Sequence, residues 1–92
     1  MRETYNSNQI KKENINIHCI KTIGYHCDKN IFGYDTCATI SFKNGREWEI
    51  FFYDTFSKHS FCRYLINKML KNNIKLRKYG NERWTYYSTQ GD

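Results

Sequence analysis

Histidine and cysteine are the side chains in this sequence that could hold a metal ion. There are three His and four Cys, and His59 and Cys62 lie three residues apart in a segment with helical periodicity. Tetrahedral zinc needs four convergent ligands, which close pairs such as C-x₂-C usually deliver. The sequence contains no such pair. We therefore expect that the protein binds no metal and, in the absence of any cofactor motif, no other cofactor.

The same residues are poorly arranged for catalysis. Cys27 or Cys62 could act as a nucleophile with His59 as its base, but no third residue is spaced to orient the base. The nine carboxylates show no paired spacing, and the isolated glycines form no phosphate-binding loop. A compact ribonuclease built from a His, a Lys and a Tyr would leave no motif. We nevertheless expect that the protein is not an enzyme.

The stretch IKLRKYGNERWTYYS, residues 74–88, is the strongest candidate for binding. Gly80-Asn81 suits a type II′ turn, which would place Arg77 opposite Trp84 and Lys75 opposite Tyr86 on one face. Aromatic rings stack on bases and cations neutralise phosphates, so this face favours single-stranded nucleic acid. The same pairs could instead only stabilise the hairpin. The predicted phosphate contacts are Lys75, Arg77, Lys78 and Arg83, and the predicted stacking residues are Tyr79, Trp84 and Tyr86.

The overall charge agrees with an anionic partner. Lys and Arg outnumber Asp and Glu by 15 to 9, which gives a net charge of +6. Such a balance favours nucleic acid, an acidic protein or a membrane surface. The sequence has no long apolar run and no secretory signal, so we expect a cytoplasmic protein that does not enter a membrane. Its many Ile, Lys, Asn and Tyr residues, with one Ala and no Pro, are typical of an AT-rich genome.

A second strip of residues indicates an alternative function. Phe51 and Tyr53 lie on the polar face of a predicted strand, where they form a half-apolar strip with acidic neighbours. Such a strip could bind a protein partner. Residues 1–13, predicted to be a mobile arm, could also cover it. The alternative is therefore a phage- or plasmid-encoded inhibitor or adaptor that binds a host protein or a nucleoprotein complex.

The elements predicted to position these residues form one α+β domain over residues 1–92. We predict a mostly antiparallel sheet with one packed helix, in the order β-β-β-α-β-β. In the first strand, Ile15, Ile17, Cys19 and Ile23 should share one side. The predicted strands are residues 15–27, 34–42, 46–53, 74–79 and 82–87, and the predicted helix is residues 55–72.

Two local patterns are specific enough to predict contacts. A three-residue loop at residues 43–45 pairs Ile40 with Trp48 and Ala38 with Ile50, which puts both apolar sets on one face. In the helix, Asp54 or Thr55 can cap the first turn. Spacings of three and four residues predict a buried stripe made of Phe61, Cys62, Leu65, Ile66 and Met69.

Overall fold

A six-stranded sheet with a helix packed on one face forms the body of the protein. The computed structural model describes residues 2–26, 29–30, 33–34, 36–79 and 83–89, with side chains for 2–25, 36–78 and 85–89. The strands are β1 (Arg2–Asn6), β2 (Ile20–His26), β3 (Lys29–Asn30), β4 (Gly33–Tyr34), β5 (Cys37–Phe42), β6 (Glu47–Phe51), β7 (Leu76–Tyr79) and β8 (Arg83–Ser88), and the helix is α1 (Thr55–Lys71). Single 3₁₀ turns occupy Ser7–Gln9, Lys12–Asn14 and Ile17–Cys19.

The strand order differs from the predicted one. The sheet runs β1-β6-β5-β2-β8-β7, and β3 pairs with β4 in a separate two-stranded hairpin. The α+β class is consistent with the prediction. The sheet is mixed, however, because β1 runs parallel to β6 while the other neighbouring pairs are antiparallel. Local patterns could not show this parallel pairing, because it joins residues more than forty positions apart in the sequence.

The N-terminal residues form an edge strand rather than the expected mobile arm. Tyr5 in β1 packs edge-on against Trp48 in β6, with ring centroids 5.4 Å apart. Arg2 binds Glu47 across the same strand pair, with its Nε 2.9 Å from the carboxylate oxygen. After β1, the chain crosses one end of the core and buries Ile15 and Ile17. The arm is therefore ordered by one aromatic contact and by ion pairs with β6.

The predicted first strand begins later than expected, and its apolar side is different. Ile17–Cys19 form a 3₁₀ turn, so alternation starts only at Ile20. Cys19 is exposed, whereas Ile20 and Ile23 are buried. The pairing with β5 also shifts between Ile20 and Thr22. The prediction that Cys19 shares a buried side with the isoleucines was therefore wrong.

The hairpin of β5 and β6 has the predicted register. Ile40 lies opposite Trp48, and Ala38 lies opposite Ile50. The Phe42 N–H donates to the Arg46 carbonyl at 2.8 Å, which closes a three-residue loop. Gly45 has φ +90°, a conformation that glycine adopts without steric cost. Local turn chemistry therefore fixed this register.

The helix confirms the predicted stripe. Asp54 caps α1 by accepting the Ser57 N–H at 2.7 Å, and this bond lowers the pKa of Asp54. Asn73 ends the turn after α1 in the left-handed conformation, with φ +62°. Lys58 is also fully buried, at a position that continues the stripe towards the start of the helix. All five predicted stripe residues are buried: Phe61, Cys62, Leu65, Ile66 and Met69.

The core lies between α1 and one face of the sheet. Ile23, Tyr25, Ala38, Ile40 and Ile50 supply the sheet side of this core. The opposite face carries small polar residues along the central strands. Within the described part of the chain, no helix has both the length and the apolar character needed to cross a lipid bilayer.

Candidate nucleic-acid interface

The pairing of β7 with β8 differs from the predicted hairpin. Arg77 lies opposite Tyr87, and Lys78 lies opposite Tyr86. The predicted pairing of Arg77 with Trp84 and of Lys75 with Tyr86 was wrong, because the strands are shifted by three residues. An odd shift moves side chains to the other face of a strand pair. The predicted shared face of cations and rings therefore does not form as described.

The cause of the shift lies in β2, the other neighbour of β8. Tyr86 pairs with Ile23, so it lies on the face that α1 covers. Its ring stacks on Tyr25, with centroids 6.4 Å apart and planes 15° apart. Tyr86 is half-buried against the core. This ring contributes to packing, and its predicted role in stacking on bases stays a prediction.

The other predicted contact residues separate into two groups. Lys75 is exposed just before β7, and Arg77 and Lys78 are exposed within it, on opposite faces. For the second group the structure describes only the backbone. The Gly80-Asn81 turn and the side chains of Tyr79, Arg83 and Trp84 lie outside the described residues, so their roles stay predictions.

A cationic surface nevertheless forms along β7. Residues 55–81 contain seven Lys or Arg and no Asp or Glu. We use the name basic edge for the four of these cations that lie at the end of α1 and along β7: Lys71, Lys75, Arg77 and Lys78. All four are exposed. Among the described residues, Lys71, Lys75 and Arg77 form no ion pair with a carboxylate.

A tight turn after α1 starts β7 close to the C-terminal end of the helix. The Ile74 N–H donates to the Met69 carbonyl at 3.0 Å, which folds the chain back over the last helical turn. The Thr89 N–H donates to the Lys75 carbonyl at 3.1 Å and holds the start of β7 beside the end of β8. Lys71 also compensates the partial negative charge of the helix C-terminus. This compensation accounts for Lys71 but not for the cations within β7.

The described carboxylates of the sheet are concentrated at the opposite edge. Arg46 Nε lies 2.9 Å from a Glu3 oxygen, and Arg2 binds Glu47. Tyr5 donates its hydroxyl to Glu3 at 2.6 Å. The Tyr5 hydroxyl lowers the pKa of Glu3 most, and the Arg46 guanidinium lowers it further. The cations of this edge are therefore already engaged by carboxylates of the same protein.

The strip predicted to bind a protein is exposed. Phe51 is 43% exposed and Tyr53 is 93% exposed, because residues 2–6 pair beside β6 instead of covering it. The sequence analysis missed Phe56, which is 80% exposed. The helical spacing predicts this exposure. Counting back three or four residues from the start of the buried stripe leads to Lys58, whereas Phe56 lies off the stripe. These aromatic residues lie within six positions at the start of α1.

The histidine and cysteine of α1 are involved in packing. Cys62 is fully buried, and the His59 ring meets Tyr25 edge-on at 5.3 Å. Burial lowers the pKa of His59, and the cations of Lys58 and Arg63 lower it further. In the part of the chain that the structure describes, no group of three or more His, Cys, Asp or Glu is placed to hold a metal ion.

The chain thus presents two candidate binding surfaces near the two ends of α1. The basic edge lies at its C-terminal end, and Phe51, Tyr53 and Phe56 lie at its N-terminal end. A basic edge suits phosphate groups, whereas exposed aromatic residues suit a protein surface. Comparison of the chain with protein-family models, with curated proteins and with solved structures finds no match, so function has to be inferred from its own residues and geometry.

Proposed function

We propose that the protein is a non-catalytic nucleic-acid-binding protein whose basic edge contacts the phosphate backbone. One observation carries this proposal: a 27-residue stretch holds seven cations and no carboxylate, and the described cations of the basic edge are exposed. An excess of charge of one sign repels itself, which costs folding free energy. A ligand with repeated negative charges relieves this repulsion. A nucleic-acid strand is such a ligand.

The energy of such binding comes largely from counterion release. Each cation that neutralises a phosphate releases condensed counterions, so the affinity falls steeply as salt rises. Each phosphate contact adds about 0.7 to the magnitude of the slope of log K against log salt for a single strand, and about 0.9 for B-DNA. The slope of log K against log salt therefore measures the number of phosphate contacts, independently of the absolute affinity.

Arg77 and Tyr87 support a preference for single strands. They lie opposite each other on β7 and β8, on the face of the sheet away from α1. Tyr87 is half-buried, so part of its side chain is exposed on this face. A base stacked on Tyr87 would place its phosphate near Arg77. Duplex DNA keeps its bases stacked inside and offers no base to this ring.

The test is a salt titration with a fluorescein-labelled, mixed-sequence oligonucleotide as the probe. We expect Lys75→Ala/Arg77→Ala to lower the salt slope of single-strand binding by about 1.4, because it removes two phosphate contacts. The matched control is Arg2→Ala/Arg46→Ala, which removes the same charge from the edge whose cations are engaged. This control should leave the slope unchanged. An equal loss in both variants would show diffuse attraction by net charge, and no binding by the parent at low salt would refute the proposal.

Substitutions of Tyr87 test whether the protein prefers single-stranded to duplex nucleic acid. We expect Tyr87→Ala to weaken single-strand binding by about 1 kcal/mol, the lower end of the range for one stacked base, because the ring is half-buried. Tyr87→Phe keeps the ring and should bind as the parent does. Duplex binding should be the same in all three proteins. An equal loss on duplex and single strand would contradict stacking.

A second candidate function is that of an inhibitor or adaptor that binds a host protein. The specific observation is the exposure of Tyr53 and Phe56, since large aromatic side chains at this exposure mark interaction surfaces. We expect the protein to capture a partner from a nuclease-treated bacterial lysate, and Tyr53→Ser/Phe56→Ser to lose that partner. Leu70→Ser removes another exposed apolar side chain, 52% exposed, and should retain it. If nuclease treatment by itself abolishes capture, the partner is held through nucleic acid. Only the nucleic-acid proposal would then remain.

A further inference from the structure

A groove runs between the N-terminal segment and the first two turns of α1. Its volume is about 380 Å³. Ile10 and Lys11 line one side, and Phe56 and Ser60 line the other. This groove is distinct from the basic edge, which lies at the other end of the helix. It has the size of a site for one large side chain and its neighbours.

The floor of the groove is aromatic. Phe52 and Phe61 meet edge-on with ring centroids 5.1 Å apart, and both are buried. Phe56 stands at the wall and is largely exposed. A buried pair of rings beside an exposed ring gives an open aromatic surface that an inserted apolar side chain would contact. Aromatic contacts of this kind are typical of the central anchors of protein interfaces.

The rim of the groove is more cationic than anionic. Lys11, Lys12 and Glu13 line it together, so the rim carries two cations and one carboxylate. Lys12 Nζ lies 4.9 Å from the centre of the Tyr64 ring, which holds this side chain in place. Lys11 is exposed and has no carboxylate partner among the described residues. The nearby Asp54 already accepts the Ser57 N–H.

We propose that this groove binds an acidic segment of a partner protein that inserts one bulky apolar side chain. The rings of Phe52, Phe56 and Phe61 would contact that side chain, and Lys11 and Lys12 would attract the carboxylates beside it. The inference deepens the second candidate function, because it names the chemistry of the protein partner. It is independent of nucleic-acid binding at the basic edge.

The test uses the whole chain and a defined probe. The probe is the acetylated and amidated peptide Glu-Asp-Phe-Asp-Glu, titrated at millimolar concentration against ¹⁵N-labelled protein. We expect amide signals of Ile10, Lys11, Phe56 and Ser60 to shift together. Two control peptides test the two parts of the proposal: Lys-Lys-Phe-Lys-Lys has the opposite charge, and Glu-Asp-Ser-Asp-Glu lacks the ring. Both should bind more weakly than the probe.

Matched variants locate the site. Phe56→Ala should weaken binding about fivefold, because it removes one wall of the pocket. Leu70→Ala removes an exposed apolar side chain outside the groove and should have no effect. Lys11→Glu should weaken binding about two- to fivefold, the range for an exposed ion pair. Lys21→Glu makes the same charge change on β2, away from the groove lining, and should have no effect.

The outcomes are distinguishable. Equal binding of the lysine peptide, or shifts confined to the basic edge, would overturn the proposal, as would a probe that does not bind. If Phe56→Ala instead abolishes self-association of the free protein in sedimentation, the groove takes a second copy and the proposal fails. Loss of lysate capture in Tyr53→Ser/Phe56→Ser without peptide binding would retain the second candidate function and reject only this partner chemistry.

Discussion

The β1 edge and the β7 edge of the sheet carry their charges in different ways. At the β1 edge, Arg2 and Arg46 lie against Glu47 and Glu3, and the two strands are joined by these pairs. At the β7 edge, the cations are exposed, and the 27-residue stretch that contains them has no carboxylate. Both edges are similar in form, because each ends the sheet with one short strand.

Charge at the β1 edge joins neighbouring strands, whereas charge at the β7 edge stays exposed. Exposed ion pairs contribute little to stability, but they fix the register of an edge strand. Cations on an edge strand also discourage pairing with another sheet, which is a structural reason for charge at β7. The concentration of four cations between Lys71 and Lys78 is the basis for the proposed contact with phosphates.

The largest expected effect comes from the helix that packs on the sheet. Leu65 is fully buried in the stripe of α1. Leu65→Ala should lower the free energy of unfolding by roughly 2–5 kcal/mol, because it removes buried methyl groups and leaves a cavity. Chemical denaturation measures this loss. The control Leu70→Ala should change stability by less than about 0.5 kcal/mol, and equal effects of the two variants would contradict the assigned helix face.

A smaller effect is expected at the turn that positions the basic edge. Asn73 adopts a left-handed conformation, which a β-branched residue tolerates poorly. Asn73→Val should destabilise the protein by about 1–2 kcal/mol, whereas Asn73→Gly should be nearly neutral. Thermal melts of the two variants separate this backbone effect from loss of the side chain. Equal destabilisation by Val and Gly would show that the amide, and not the backbone conformation, is needed.

The smallest effect belongs to the β1 edge and depends on pH. The pKa of Glu3 is lower in the folded protein than its ordinary value of 4.5, because of Tyr5 and Arg46. A depressed folded pKa means that the stabilisation is present above pH 4.5 and is lost as the pH falls through the folded pKa. Glu3→Gln should therefore have a lower free energy of unfolding than the parent at pH 7. The difference between the two proteins should become smaller below pH 4.5. A difference in unfolding free energy that does not change with pH would show that the folded protein does not specifically stabilise the Glu3 carboxylate.

The same Glu3 variant sharpens the comparison between the two edges. Oligonucleotide binding by Glu3→Gln should keep the salt slope of the parent, because the β1 edge supplies no phosphate contact in the proposed complex. Lys75→Ala should show the converse behaviour, with a lower slope and little change in unfolding. If both variants altered both properties, charge would act across the whole surface and the distinction between the edges would fail.

Elements that are specified by local patterns could be predicted from the sequence. The spacing of Phe61, Leu65 and Met69 predicted the buried face of α1 and its length to within one residue. The loop that includes Gly45 predicted the pairing of β5 with β6, because only one register puts both apolar sets on the same face. The position of Phe56 off the stripe was also present in the sequence. The helical periodicity was used to predict only the buried positions, so the exposure of Phe56 was not predicted.

Features that depend on partners far away in the sequence were set by packing between the elements. The register of β8 follows from the packing of Tyr86 beside Ile23 and Tyr25, and this overrode the pairing that local turn chemistry predicted for residues 74–88. The N-terminal segment became β1 because β6 lay beside it with complementary charges. The predicted interface changed with these pairings: the cations of β7 remained exposed, while Tyr86 turned to the core. Periodicity identifies which side of an element is apolar, but the element it pairs with depends on contacts between residues far apart in the chain.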